Sequence, residues 1–204
     1  MRDLLRTIYS RRRQHLLVLE LRGAPLAHPA TIDVVFRQGT AQDLAVIARD
    51  PAHEITIVSG RRHQELLAAD GRLLVGTLGG RIIYRGWSST RIWRPGAGVE
   101  IAMGPAKGVI FRCFTVADQR GRGVYAAALG DHLAMLRRQG VSRVYINVNV
   151  ENIPSIRAIR KAGFAPLTDY ETTSFMGRSR LILPPGLQEA VEVPAAHATT
   201  TTPR

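Results

Sequence analysis

The sequence predicts a domain of the α/β or α+β class, and two observations carry that expectation. Apolar residues make up 45% of the 204 positions, against 22% charged and 6% aromatic, which is enough apolar material for a packed core and excludes wholesale disorder. The hydrophobic period also switches along the chain between helical spacing and strand-like alternation, a pattern foreign to a bundle or an all-β sandwich. A chain of this length forms one domain and buries roughly two-thirds of its unfolded surface, so it needs no metal or disulfide staple. The single Cys113 agrees: no intrachain disulfide can form, no Cys/His spacing suggests a metal site, and a reducing, cytoplasmic setting is expected.

Taken in order, residues 1–30 read as a basic N-terminal extension, with an Arg-rich start, a β-prone run from Leu16 to Leu21 and a linker from Gly23 to Ala30. The Leu16–Leu21 run is too short, and too interrupted by Glu20, for a signal core or a membrane span. Residues 31–183 are expected to be the domain itself. Ile32–Arg37 alternates as a strand, and Thr40 is a good N-cap for a helix carrying Leu44, Ala45, Ile47 and Ala48. A second helix includes Arg61–Ala69 and closes at the turn Asp70-Gly71. Strands follow at Leu73–Leu78, Arg81–Tyr84 and Val109–Val116, with Gly79-Gly80 as a hairpin turn. Trp87–Lys107 is the least legible stretch, around a short strand at Val99–Met103.

From Gly123 a long amphipathic helix runs to Gly140, then a strand from Val141 to Val150 places Val144, Ile146 and Val148 on one face and Tyr145 and Asn147 on the other. Pro154 opens a shorter helix that closes at Gly163, and Phe164–Phe175 is the last long strand, continued by Phe175–Leu183. Residues 184–204 read as a disordered, low-complexity tail.

The formal charge is +12, carried almost entirely by arginine, with Lys107 and Lys161 the only lysines. Such a balance favours anionic partners: a phosphorylated cofactor, an acidic membrane met through the basic N-terminus, or nucleic acid. Scattered basic residues and few aromatics argue against a nucleic-acid platform.

The chemistry is concentrated between Phe111 and Phe164. A strand ending at Val116 leads through Gln119-Arg120-Gly121-Arg122-Gly123-Val124-Tyr125 directly into the long helix. Two glycines at such a turn admit a ligand close to the backbone, and the helix start adds unpaired N–H groups and the positive dipole end. No Walker pattern follows, and the dinucleotide fingerprint lacks its third glycine and acidic partner. Further on, a strand ending at Asn152 enters Asn152-Ile153-Pro154-Ser155 and closes at Lys161-Ala162-Gly163-Phe164.

This pair of segments, over residues 108–166, resembles the acyl-CoA core of the GNAT superfamily, the GCN5-related N-acetyltransferases. Arg120, Gly123, Asn152, Ser155, Lys161, Gly163 and Phe164 stand in the order and spacing of that family's two motifs. A fainter similarity, at Tyr9–Arg12 and Cys113–Thr115, points to a bacterial subgroup linked to cell-envelope and exopolysaccharide gene clusters. The resemblance implies a mixed, mostly antiparallel sheet, helices on both faces, and a splay between two parallel strands that holds acetyl-CoA or another acyl-CoA as co-substrate. Main-chain groups of Phe114, Thr115 and Val116 would pair with the pantetheine arm. N–H groups of Gly121, Arg122, Gly123, Val124, Tyr125 and Ala126 would hold the pyrophosphate, with Arg120 beside them. Asn152 and Ser155 would sit near the pantetheine, while also serving as helix caps.

Two departures stand out. Tyr125 replaces the small residue that ends the first motif, and Ile159 occupies the position of a tyrosine that often protonates the departing thiolate. The resemblance implies acyl transfer to a primary amine of a small molecule or amino sugar, with Glu100 as the first choice of base and an exposed edge carboxylate as its plainer reading. Asp118 and Glu151 are expected to serve the turns they sit in, His132 to be a surface residue, and Cys113 a small strand hydrophobe. Two other functions stay open: a catalytically weak acyl-CoA-binding sensor and a nucleic-acid module. A homodimer is also open.

Overall fold

A computed structural model of the chain describes residues 9–21, 29–69, 71–96, 99–175 and 178–182. The expected tail at 184–204 and the first eight residues lie outside the described residues. Among the described residues is an eight-stranded sheet in the order β10-β9-β1-β8-β7-β4-β3-β2, with a separate hairpin of β5 and β6. The strands are β1 (Tyr9–Glu20), β2 (Val35–Gln38), β3 (Arg72–Leu78), β4 (Arg81–Ser89), β5 (Ile92–Gly96), β6 (Val99–Ala102), β7 (Lys107–Thr115), β8 (Arg143–Asn149), β9 (Ala165–Phe175) and β10 (Arg178–Ile182). The helices are α1 (Ala41–Arg49), α2 (Ile57–Ala68), α3 (Val124–Arg138) and α4 (Ile153–Lys161). Every described pairing in the large sheet is antiparallel except β7 with β8.

The sequence patterns explain most of these elements. Thr40 caps α1 through a capping box with Asp43, whose carboxylate also holds Arg37 at 2.6 and 2.7 Å. Gly79 and Gly80, at φ of 56° and 81°, make the tight turn between β3 and β4. Val144, Ile146 and Val148 pack with Leu129, Leu133 and Ile159 of the helices on one face, while Tyr145 packs on the other face with Trp87, Trp93 and Tyr170. Leu44, Ile47 and Leu66 of α1 and α2 share that second core, and Trp93 and Ile101 bring the β5–β6 hairpin onto it. The sheet is therefore covered by α3 and α4 on one side and by α1, α2 and the hairpin on the other.

The boundary at residue 30 is corrected. β1 lies inside the sheet, paired from Gln14 to Glu20 with β8 and from Tyr9 to Val18 with β9. Leu16 and Leu17 are 0% and 1% exposed and feed opposite cores, so the apolar run is a central strand with two buried faces. Arg11 and Arg13 of the basic N-terminus are held by Glu171 and Asp169 of β9 at 2.8 and 2.7 Å. The run after Phe175 is a hairpin partner, β10, and not a continuation of β9.

Replacing Leu16 or Leu17 by alanine is expected to destabilise the domain by about 2–5 kcal/mol each. Denaturant melts of the two variants check this, and a loss below about 1 kcal/mol would return β1 to the status of an appendage.

Candidate functional site

The parallel ladder of β7 and β8 runs only from Lys107–Arg143 to Ile110–Ile146, although both strands continue beyond it. The parting coincides with a bulge in β7. Arg85 pairs with Phe114 and Trp87 with Phe111, so the single Gly86 faces both Arg112 and Cys113. Arg112 takes the left-handed conformation at φ 52°. Such a bulge bends its strand and sharpens the local twist, which carries β7 away from β8. A side chain at Gly86 is excluded, because a Cβ there would lie 2.3 Å from the Tyr84 hydroxyl and 2.6 Å from His132 Nε2.

The start of α3 fills the mouth of the splay. Its N-cap is Gly123, at φ 75°, and no side chain caps it; the first intrahelical bond runs from Ala127 N–H to the Gly123 carbonyl. The N–H groups of Val124, Tyr125 and Ala126 are therefore left without intrahelical acceptors. Gly121 also has positive φ, 78°, so both glycines hold a turn that other residues enter only under strain. The segment at Pro29–Thr31 closes one side: Thr31 donates to the Arg122 carbonyl at 3.0 Å, and a Cβ on Gly123 would sit 3.3 Å from Ala30 Cα.

A cleft of about 510 Å³ results, walled by β7, the turn, the first turn of α3 and the start of α4. It gathers Phe114, Thr115, Arg120, Gly121, Gly123, Val124, Tyr125, Ala126, Asn152 and Ser155, and adds Cys113, Gln119, Pro154 and Ala158, which the motifs had not marked. Val116 and Arg122 are the expected residues that do not line it. Val116 is fully buried and its N–H donates to the Ile83 carbonyl at 3.0 Å, so that N–H is engaged within the sheet. Arg122 contributes its carbonyl to Thr31. A larger groove of about 670 Å³ between α1 and α2 holds none of the motif residues.

Within the cleft, Arg120 Nε donates to the Thr115 carbonyl at 3.1 Å and its guanidinium lies 5.4 Å from the Phe114 ring centre. Asn152 Oδ1 accepts the Ser155 N–H at 3.2 Å, the capping bond expected of it. Tyr125 packs between the two cores on the α3 side, and burial holds its phenol well above the usual tyrosine range. Cys113 borders the same space, its thiol pushed up to about 11 chiefly by burial, which leaves it a thiol and not a nucleophile at neutral pH.

Other expected residues fall elsewhere. Glu100 lies on β6 outside the cleft, with its carboxylate bonded to Arg94 at 2.6 Å. Ile159 is fully buried in the core shared by α3 and α4. Asp118 is ion-paired to Arg81 at 2.7 Å, and the Glu151 N–H bonds to Asn149. Asn147 donates to Gln14 of β1, which also accepts from Tyr170 at 3.0 Å. His132 corrects the surface expectation: it is 0% exposed, 3.3 Å from the Tyr84 hydroxyl, and burial pushes it down to about 3. Among the described residues no His, Cys, Asp and Glu cluster could hold a metal ion, and no helix is long and apolar enough to cross a membrane.

A strand splay with a free edge, closed by an uncapped helix at a glycine turn, combines the two features that suit an extended ligand carrying phosphate. The sequence model of the Acetyltransferase (GNAT) family matches residues 35–164. The chain belongs to the GNAT acetyltransferase family, whose enzymes use acetyl-CoA as co-substrate. Solved structures of the same fold include a GCN5-related N-acetyltransferase from Sphaerobacter thermophilus, at TM-score 0.56 and 20% identity over 85% of this chain and 55% of that one. A GCN5-related glucosamine N-acetyltransferase region of a fungal multi-domain β-N-acetylglucosaminidase matches at TM-score 0.61 and 15% identity, over 85% of this chain and 22% of that one. The ribosomal-protein-S18-alanine N-acetyltransferase of Escherichia coli matches at TM-score 0.53 and 15% identity, over 66% and 79%. This chain thus spans about half of the Sphaerobacter structure and less than a quarter of the fungal one. No curated protein matches the sequence.

Gly123→Glu is expected to abolish CoA binding, since it sets a carboxylate at the helix start and forces a strained φ. Arg120→Ala should weaken binding roughly tenfold, about 1.5 kcal/mol for one charge-assisted contact. Calorimetric titration with CoA checks both.

A second expectation concerns pH. His132 and His63 are buried, and burial lowers them from 6.5 to about 3 and about 4. Folded pKa values below the unfolded ones mean that this stability is whole above pH 6.5 and is lost as pH falls toward 4. Each histidine should remove about 1.4 kcal/mol per pH unit in that window. Urea melts between pH 7 and 4.5 measure the slope, and a flat profile would contradict the burial.

Proposed function

We propose that the protein transfers an acetyl group from acetyl-CoA to a primary amine of a small molecule or an amino sugar. The observation that carries this reading is the β7–β8 splay closed by the uncapped α3 start at Gly123. In this reading the N–H groups of Gly121–Ala126 take the pyrophosphate, assisted by Arg120. The β7 edge freed from β8, at Cys113–Thr115, lies along the pantetheine arm, with Asn152 and Ser155 across the cleft. Acetyl-CoA supplies the thioester whose carbonyl carbon the neutral amine attacks; the carbon–sulfur bond breaks, the amine gives up a proton and the CoA sulfur gains one.

The chain's own residues position these reactants more visibly than they move protons. Glu100, the proposed base, lies outside the cleft and is bound to Arg94, so in this reading it reaches the amine's proton only through water. Ile159 carries no proton and points into the core. Tyr125 is the tyrosine that lines the cleft, and a phenol held above its usual range stays protonated, so it or water serves the thiolate.

Six arginines, Arg11, Arg13, Arg37, Arg81, Arg94 and Arg143, are each held by a carboxylate, which argues further against a nucleic-acid module. The engaged Glu100 and the buried Ile159 favour, as second reading, a protein that binds acyl-CoA with little turnover. One assay separates the two: CoA-thiol release with acetyl-CoA across a panel of amines and amino sugars. Release that depends on the amine supports the transferase; tight CoA binding with no release over any amine supports the sensor. Ile159→Tyr is expected to overpack the core, costing about 1–3 kcal/mol, without raising turnover. A faster enzyme at unchanged stability would instead put the position within reach of the sulfur.

A further inference from the structure

The face of the β7 bulge turned away from α3 carries a concentration of positive charge that the acyl-CoA cleft does not use. Arg85 of β4 is only 8% exposed, and its Nε has no hydrogen-bond partner. One Nη donates to the His53 carbonyl at 3.2 Å, and the guanidinium lies 4.7 Å from the Phe114 ring centre. No carboxylate among the described residues forms an ion pair with it. A guanidinium taken out of water without a counter-ion is strongly disfavoured, and burial lowers Arg85 to about 10.

Arg112 adds a second unmatched charge. It is the bulge residue itself, held at φ 52°, a conformation that costs a residue with a Cβ roughly 1–2 kcal/mol. Bulges re-aim side chains beside sites, and here the re-aimed side chain joins like charges: its charged neighbours are Arg62 of α2 and Arg94 of β5. Arg94 is neutralised by Glu100, whereas Arg62 and Arg112 form no ion pair with a described residue. His63 stacks on Trp87 at 5.7 Å, beside Arg85 and Arg112, and stays neutral. The fold thus spends strain and desolvation to converge cations that form no ion pair with a described residue where β7 parts from β8. Glu54 lies within electrostatic reach of Arg85 without pairing to it.

We propose that this bulge face is an anion subsite for the acceptor, in which Arg85 and Arg112 hold a carboxylate or phosphate carried by the amine substrate, with Arg62 at its rim. Phe114 ties the subsite to the reaction. Its ring lies over Arg85 and also lines the acyl-CoA cleft, so a bound anion sits one strand away from the co-substrate. The role as acceptor site rests on the transferase reading; the anion site itself does not.

The test uses matched pairs differing in one anionic group: β-alanine against β-alaninamide for a carboxylate, and phosphoethanolamine against ethanolamine for a phosphate. Each is titrated calorimetrically into protein saturated with CoA, so that the helix start is already filled. At least one anionic member should bind about tenfold more tightly than its neutral partner, and Arg112→Gln should reduce that ratio below about threefold. Because Arg85→Gln alters a buried position, the exposed Arg112 decides the outcome. Which pair responds identifies carboxylate or phosphate. Equal affinities within both pairs, or a preference that survives Arg112→Gln, overturn the proposal. If the protein does not bind CoA the transferase reading falls, and the same titrations on the free protein still decide the anion site.

Discussion

The bulge on β7, where the strand keeps its antiparallel partner β4 and parts from its parallel partner β8, organises the molecule. β7 keeps β4 as partner up to Val116 and releases β8 after Ile110. The released edge is the floor of the cleft, and α3 begins in the gap that the release opens. The same bulge turns Cys113 toward Tyr84 and Tyr125 on one face and Arg112 toward other arginines on the opposite face. Gly86 makes this geometry feasible, because its missing side chain is the space that Tyr84 and His132 occupy.

The legible parts of the sequence were those governed by local rules. Thr40 as a cap, Gly79-Gly80 as a turn and the alternation in β8 each act within a few residues, and each folds as its pattern suggests. The cleft was legible for the same reason: its glycines and its helix start are consecutive in the chain. The face of β7 turned away from the cleft was not. Arg85, His53, His63 and Arg112 come from separate stretches of the chain, and no local rule marks a buried arginine or a bulge at a non-glycine residue. His132 misled because a histidine on an amphipathic helix reads as solvent-facing, while here it fills the space left by Gly86.

Glu100 and Ile159 illustrate a different limit. The resemblance names Glu100 as a base and marks Ile159 as the place of a missing acid, and the structure commits one to Arg94 and the other to the core. Binding groups supplied by the backbone follow from the fold, whereas proton-transfer groups depend on what else a side chain touches. The family match, over residues 35–164, likewise stops short of β1, β9 and β10, the strands that complete the sheet beyond β8.

The position of β1 governs the order in which the chain can assemble. Leu17 sits across from Ile146 on one side and Pro166 on the other, so β1 has no strand partner until the residues of β8 and β9 have been made. Its buried contacts are among the most distant in sequence, and contacts of that kind close late and slow folding. Until then an apolar strand with two unpaired edges stays open to other chains. The arginines that flank its apolar run at Arg11–Arg13 carry like charge, and charge of one sign beside an exposed strand keeps nascent copies apart.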